Sequence, residues 1–455
     1  MNGVRNYGIW LAVVVLLLAA AAGAQNEPSG APYRLTLSDA IQRGLRANLA
    51  PQLAEARIAE AQGTEQRGLA TLLPHAHIDN AVALQSRSLK AQGISVPILP
   101  DVVGPFSTYD FRVYADQTLI DRQAYHNYKA TQISEQGARS DYQDARDSVI
   151  RQIASLYLAA ESAAAQTAAA RSRLDNSQTL YKLARDQYTQ GIATGIDVLR
   201  AQVQMANDRQ AVLEARNAEQ IYLLTLARNI GMTPGTPIDL ATTLQYVPLQ
   251  MPNIADAVRD AMAARPDLQS LLKQKQALEE QLSASKARYL PRLSVSGNYG
   301  GIGRAVGQVA STGQIQANLT FTVFDRDRKG EQMQIDSRIR RVDKQVADLQ
   351  LGIEQEIRQA ALNLESAADE VNVAKAGLDL AEKELKLARS RFEHGVANNV
   401  EVVNAQDAFA RAQQNEIRAL TRHVDAKISL ARALGNTEKN YAAFLGMNEM
   451  PTEKQ

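Results

Sequence analysis

The chain has 455 residues, with 50 Lys+Arg against 49 Asp+Glu, no cysteine and only 5% aromatic residues. That balance excludes a basic binder that neutralises nucleic-acid phosphates and an acidic solvating tail. Without cysteine there is no disulfide scaffold, cysteine-liganded zinc, iron–sulfur cluster or thiol nucleophile. Long Ala/Gln/Arg/Glu/Leu stretches between Gly and Pro favour long helices over mixed α/β folding.

Residues 1–24 have the three parts of a secretory signal. Arg5 is the charged start, Ile9–Leu18 the apolar run, and Ala22-Gly23-Ala24 the small-residue cleavage site. Cleavage would leave Gln25 at the new N-terminus and 49 charges of each sign. A lipoprotein would need Cys at that position, so no lipid anchor is expected. No later stretch approaches 18 consecutive apolar residues, so any membrane span must be built from strands.

The chain repeats itself. Residues 183–202, LARDQYTQGIATGIDVLRAQ, align with 387–406, LARSRFEHGVANNVEVVNAQ, at eight identical positions of twenty. The offset of 204 also relates Asp121 to Asp325 and Gly231 to Gly435. Earlier landmarks, such as Pro74 and Pro291, are 217 apart, which puts a 13-residue insertion in the first copy. The organisation expected is a linker over 25–38, repeat one over 39–235, a Pro-marked crossing over 236–255, repeat two over 256–435 and a tail over 436–455.

Within each copy the order predicted is helix, strand pair, very long helix, turn, helix. The opening helices span 39–72 and 256–290. Asp121 and Asp325 are predicted N-caps, and no proline follows for 68 residues in either copy, enough for a rod of roughly 100 Å. Ala374, Leu378, Ala381, Leu385, Ala388 and Phe392 recur at the 3.5-residue spacing of a coiled-coil seam. Ala170, Leu174, Ser177, Tyr181, Ala184 and Tyr188 repeat the pattern. Gly191 and Gly395 then end the rods, and returning helices start at Asp197 and Glu401.

Between opening helix and rod lie alternating segments, 75–85, 109–120, 292–299 and 314–323, with apolar residues on one side and polar on the other. That is the pattern of a strand with lipid on one face and water on the other. Four strands cannot close a water-wide barrel, whereas three chains supply twelve. Tyr109, Phe111, Tyr114, Tyr299, Phe321 and Phe324 are candidates for an interfacial aromatic girdle.

With the signal, LTLSDAI at 35–41, YLPRLSV at 289–295 and the duplicated turn sequences on the page, the chain resembles the TolC-like outer-membrane efflux proteins over about 39–435. The resemblance implies an α+β membrane protein: a homotrimer whose 12-stranded β-barrel, four strands per chain, continues into a long α-helical coiled-coil barrel in the periplasm. It implies a passive exit duct of a tripartite efflux or type I secretion system, embedded in outer-membrane lipid and docked on a periplasmic adaptor and an inner-membrane pump. It places adaptor-docking tips at Gly191-Ile192-Ala193-Thr194 and Gly395-Val396-Ala397-Asn398. It places the periplasmic gate at Glu401, Asn404 and Asp197; where the family often carries two acids three apart, only Glu401 is acidic here.

No catalytic constellation, cofactor site or nucleic-acid surface is expected. Gly301–Gly307 has one residue too many for a dinucleotide fingerprint and is read as a loop between strands. His75 and His77, with Asp79 beside them, are read as a solvated lumen face. The apolar insertion near 90–107 is read as an external loop. An exported structural or adhesive coiled-coil protein of the envelope is the alternative reading; it leaves the strands and the duplication without a role.

Overall fold

In chain order the elements are β1 (Tyr33–Leu35), α1 (Leu37–Ala47), α2 (Leu49–Ala70), β2 (His75–Ser88), β3 (Val102–Ile120), α3 (Arg122–Thr189), α4 (Gly195–Asn229), β4 (Ile238–Leu240), α5 (Ile254–Ala264), α6 (Pro266–Ala287), β5 (Arg292–Gly303), β6 (Val309–Thr320), α7 (Asp327–Glu393) and α8 (Asn399–Ala433). The computed structural model describes residues 32–93, 100–241, 245–249, 253–394, 396–397, 399–435, 437–438 and 441. The expected signal, Gly395, Asn398 and nearly all of the tail lie outside the described residues.

Helix lengths agree between the halves: 11 and 22 residues for the opening helices of each, 68 and 67 for α3 and α7, and 35 for both α4 and α8. The predicted opening helices are each broken once. Asn48 (ψ 139°) and Arg265 (ψ 122°) leave helical geometry and cap the next helix. At Arg265 the cause is local, because the ring of Pro266 disfavours the α region in the residue before it. Asp121 caps α3 as expected, its carboxylate accepting from the Ala124 N–H at 2.9 Å. The second rod differs: Asp325 accepts from the Asp327 N–H, and the helix begins at Asp327.

Two compact units are formed. The first takes the chain as far as Ala47, Ile153–Gln245 and Val373–Thr421. In it β1 pairs in parallel with β4, a short sheet the sequence pattern did not reveal. Tyr157 is buried and donates its hydroxyl proton to the Leu35 carbonyl. Gly44 packs so closely here that a Cβ would fall 1.6 Å from Ile153 Cδ1.

The second unit takes Asn48–Gln152, Tyr246–Asn372 and the chain from Arg422. Its helical core is a seam on α7, Ile353, Ile357, Ala360, Leu364 and Ala367, against Ala261, Leu268, Ala426 and Leu430. Those α7 intervals of 4, 3, 4 and 3 continue the coiled-coil spacing. Arg265 is almost fully buried at the α5–α6 break and pairs with Asp267 and Glu356.

The same unit carries a four-stranded antiparallel sheet in the order β2-β3-β5-β6. His77, Tyr114, Asn298 and Gln314 stand in one cross-strand row. Strand alternation therefore gives one face His75, His77, Arg112, Asp116, Ser296, Gln316 and Asn318. The other face carries Ile78, Val82, Phe111, Val113, Val295, Ile315 and Leu319. Tyr114 stacks on His77 with centroids 5.1 Å apart, so it belongs to the polar face and not to the expected aromatic girdle. β6 ends at Thr320, which leaves Phe321 and Phe324 beyond the strand.

The first strand pair is longer than the second, 14 and 19 residues against 12 and 12. Val102 and Val103 pair with Ser88 and Arg87, so part of the expected insertion loop is strand. Residues 94–99 of that insertion lie outside the described residues. β5 continues to Gly303, so the glycine-rich segment is half strand and half turn.

Candidate functional site

The described tip residues and the acidic positions behind them fall in the first unit. At the first tip Gly191 takes φ 75°, a left-handed conformation that glycine adopts without a Cβ penalty. The N–H groups of Ile192 and Ala193 return to the Gln187 carbonyl at 2.9 and 3.3 Å. At the second tip those of Val396 and Ala397 return to the Arg391 carbonyl at 2.9 and 3.3 Å. Each turn leaves one aliphatic side chain outside: Ile192 is 62% and Val396 69% exposed. Gly395 and Asn398 lie outside the described residues.

The helices leaving the tips start earlier than expected, at Gly195 and Asn399. Asp197 sits in the first turn and closes a capping box. Its carboxylate accepts from the Thr194 N–H at 3.1 Å and from the Thr194 hydroxyl at 2.6 Å. Glu401 occupies the matching first turn of α8, where the helix dipole favours a carboxylate. It also pairs with Arg391 Nε at 3.0 Å, α7 to α8. Asn404 is exposed.

Two further contacts tie the tips to each other. Gln187 is buried and donates to the Phe392 carbonyl at 3.3 Å, while Asn399, fully buried, donates to the Asp197 carbonyl at 2.8 Å. Behind them Leu180, Ala184, Ala201, Leu385, Ala388, Phe392, Val402 and Ala405 form one core cluster. The predicted seam on α7 is buried at Ala381, Leu385, Ala388 and Phe392. On α3 the buried stripe is instead Ser177, Leu180, Ala184 and Gln187, and Tyr188 is 53% exposed. Turning Gln187 inward to reach Phe392 turns Tyr188 out.

Deeper in the unit Arg173 joins three helices. Its guanidinium pairs with Asp208 on α4 at 2.7 Å and with Asp407 on α8 at 3.0 Å. Asp208 is 1% exposed, and burial pushes its carboxyl above the ordinary range, with Arg173 opposing. Gln187, Arg391, Asn399 and the Arg173 node were not singled out from sequence. Each is one polar residue on a helix, and only the packing of one helix on another reveals its partner.

Among the described residues no cluster of three His, Asp or Glu side chains is arranged to hold a metal. No described helix is long and apolar enough to cross a membrane.

The sequence matches the family described as Outer membrane efflux protein twice, over residues 41–232 and 257–436. It is 23% identical over 342 residues to the probable efflux pump outer membrane protein TtgC of Pseudomonas putida KT2440, covering 72% of this chain and 67% of that one. It is 22% identical over 379 residues to the outer membrane protein OprJ of Pseudomonas aeruginosa PAO1, covering 78% and 75%. The fold is similar to that of the outer membrane protein VceC of Vibrio cholerae, with a TM-score of 0.76 at 17% identity over 88% of this chain and 96% of that one. The chain is an outer-membrane protein without enzymatic chemistry, and it belongs to the outer membrane efflux protein family.

Proposed function

We propose that three copies of this chain form the outer-membrane exit duct of a tripartite efflux or secretion assembly. The observation that carries the reading is the sheet. Its edge strands β2 and β6 have no further strand beside them among the described residues, and its Ile315-bearing face is apolar and exposed. Unpaired backbone at a sheet edge is not tolerated in lipid, so closure with neighbouring copies is required. Four strands from each of three chains give a twelve-stranded barrel with the His77 row facing water. The repeated helix lengths support a duplicated unit whose rods continue that barrel.

The duct conducts passively, with energy supplied by an inner-membrane pump through a periplasmic adaptor. The tips at Gly191–Thr194 and 395–398 are the adaptor-docking elements, with Ile192 and Val396 as apolar contacts. Glu401, Asn404 and Asp197 line the gate. Asp197 is engaged in capping and Glu401 is offset by Arg391, which makes for a weakly charged entrance.

Negative-stain microscopy of protein extracted from outer membranes in mild detergent tests the assembly. A three-fold cylinder with a detergent belt at one end is the expected result. A monomer in the soluble fraction, or a thin rod with no belt, would overturn the duct and favour an envelope scaffold.

A further inference from the structure

The second unit holds a cavity of about 490 Å³. One wall is a face of α7 that carries Leu364, Glu365 and Asp369. The segment 245–249 contributes Tyr246 and Leu249, and α8 contributes His423. Lys427, one helical turn beyond His423, fastens that segment by donating to the Val247 carbonyl. The Tyr246 ring leans on the His423 imidazole with centroids 4.7 Å apart.

Two features of this wall have no partner among the described residues. Glu365 and Asp369 are like charges at i and i+4, an arrangement that disfavours a helix. Among the described residues no cation pairs with either: Arg422 is engaged by Glu370, and Lys427 by the Val247 carbonyl. His423 is 1% exposed, yet its buried Nδ1 has no hydrogen-bond partner. A buried polar atom without a partner is costly, and native proteins rarely leave one without a reason.

We propose that this cavity binds an amphipathic organic cation: a protonated amine on an apolar body that carries one polar group. The volume falls within the range of small-molecule sites, which combine apolar walls with a few placed polar groups. The ammonium would sit between the Glu365 and Asp369 carboxylates at the mouth. The apolar body would lie against Tyr246, Leu249 and Leu364, and its polar group would meet Nδ1 of His423. Burial, aided by the Lys427 charge one turn away, lowers the His423 pKa to about 4, so the imidazole at the inner wall does not repel a cation at neutral pH. The same carboxylates reject anions. The site does not depend on the duct reading.

Dansylcadaverine fits this description, with a primary ammonium, a sulfonamide and an apolar fluorophore. It would be titrated against the full chain in lipid nanodiscs, with empty nanodiscs subtracted, and N-acetyl-dansylcadaverine would serve as the uncharged control. Saturable, blue-shifted emission at one probe per chain is expected. The acetylated probe should bind at least tenfold more weakly. The surface double variant Glu365→Gln/Asp369→Asn should lose at least tenfold for the amine and nothing for the acetylated probe. Ala368→Leu, which fills the same wall, should abolish the blue shift while both variants keep the wild-type helix signal. No saturable binding by wild type, equal binding of the two probes, or an unchanged affinity in the double variant would overturn the site.

Discussion

Arg391 and Glu401 face each other across the second tip, with Nε 3.0 Å from a carboxylate oxygen, and the charge expected at the gate is thereby offset by its neighbour. Both side chains remain almost half exposed, so the pair itself adds no more than about 1 kcal/mol of stability. Its consequence is electrostatic. In planar bilayers Glu401→Gln, which frees the guanidinium, should lower cation selectivity, while Arg391→Gln, which frees the carboxylate, should raise it. Reversal potentials in a salt gradient check both. Selectivity unmoved by either substitution would remove these residues from the conduction path.

The tips give a second prediction. Gly191 holds φ 75°, and an L-residue there costs roughly 1–2 kcal/mol, so Gly191→Ala should fray the first tip without unfolding the rods. Ala193→Trp and Ala397→Trp keep the turn geometry and add bulk beside Ile192 and Val396. They should abolish co-purification with a periplasmic adaptor while the assembly itself persists. Docking that survives both tryptophans would leave these turns with a purely helix-terminating role.

Much of this architecture is legible in sequence because period and punctuation are local properties. The α7 seam follows from Leu385, Ala388 and Phe392 alone, and the strand faces follow from alternation around Ile315. The break at Arg265 was also within reach, since Pro266 stands next to it. The inward turn of Gln187 was not, because its cause is the Phe392 carbonyl, 205 residues away. The β1–β4 pair was hidden for the same reason: three-residue strands 205 residues apart carry no periodicity. At the tips, Asp197 and Glu401 were legible as acids at the starts of the returning helices, two residues late, but Arg391, which alters the meaning of Glu401, was not.

The Arg173 node should be asymmetric. Arg173→Met strands Asp208, 1% exposed, without its cation, and a loss of about 3 kcal/mol is expected from a buried pair broken on one side. Asp407→Asn removes the more exposed partner and should cost less than about 1 kcal/mol. Guanidinium unfolding followed by the helix signal distinguishes the two.

Glu161 is 8% exposed with a buried oxygen that has no hydrogen-bond partner, and burial alone raises its pKa to about 7. The folded chain therefore holds this proton over a range in which the unfolded chain has released it. Stability from this group is full below about pH 4.5 and is lost as pH rises through 7. Glu161→Gln should accordingly stabilise the protein by about 3 kcal/mol at pH 8, have almost no effect at pH 4, and flatten the profile between. Identical denaturation midpoints for the two proteins at pH 8 would mean that Glu161 finds a partner in the assembled protein.

The two faces of the sheet make the sharpest demand. Ile315 is 86% exposed on the apolar face, and Gln316, the next residue along β6, points to the polar one. If the apolar face meets lipid, Ile315→Arg costs about 2–4 kcal/mol at mid-bilayer, and Gln316→Arg, facing water, costs little. The first should fail to reach the outer-membrane fraction while the second assembles normally. The reverse order would turn the sheet inside out, placing the His77 row against lipid. Equal tolerance of both would mean that this sheet never enters the membrane.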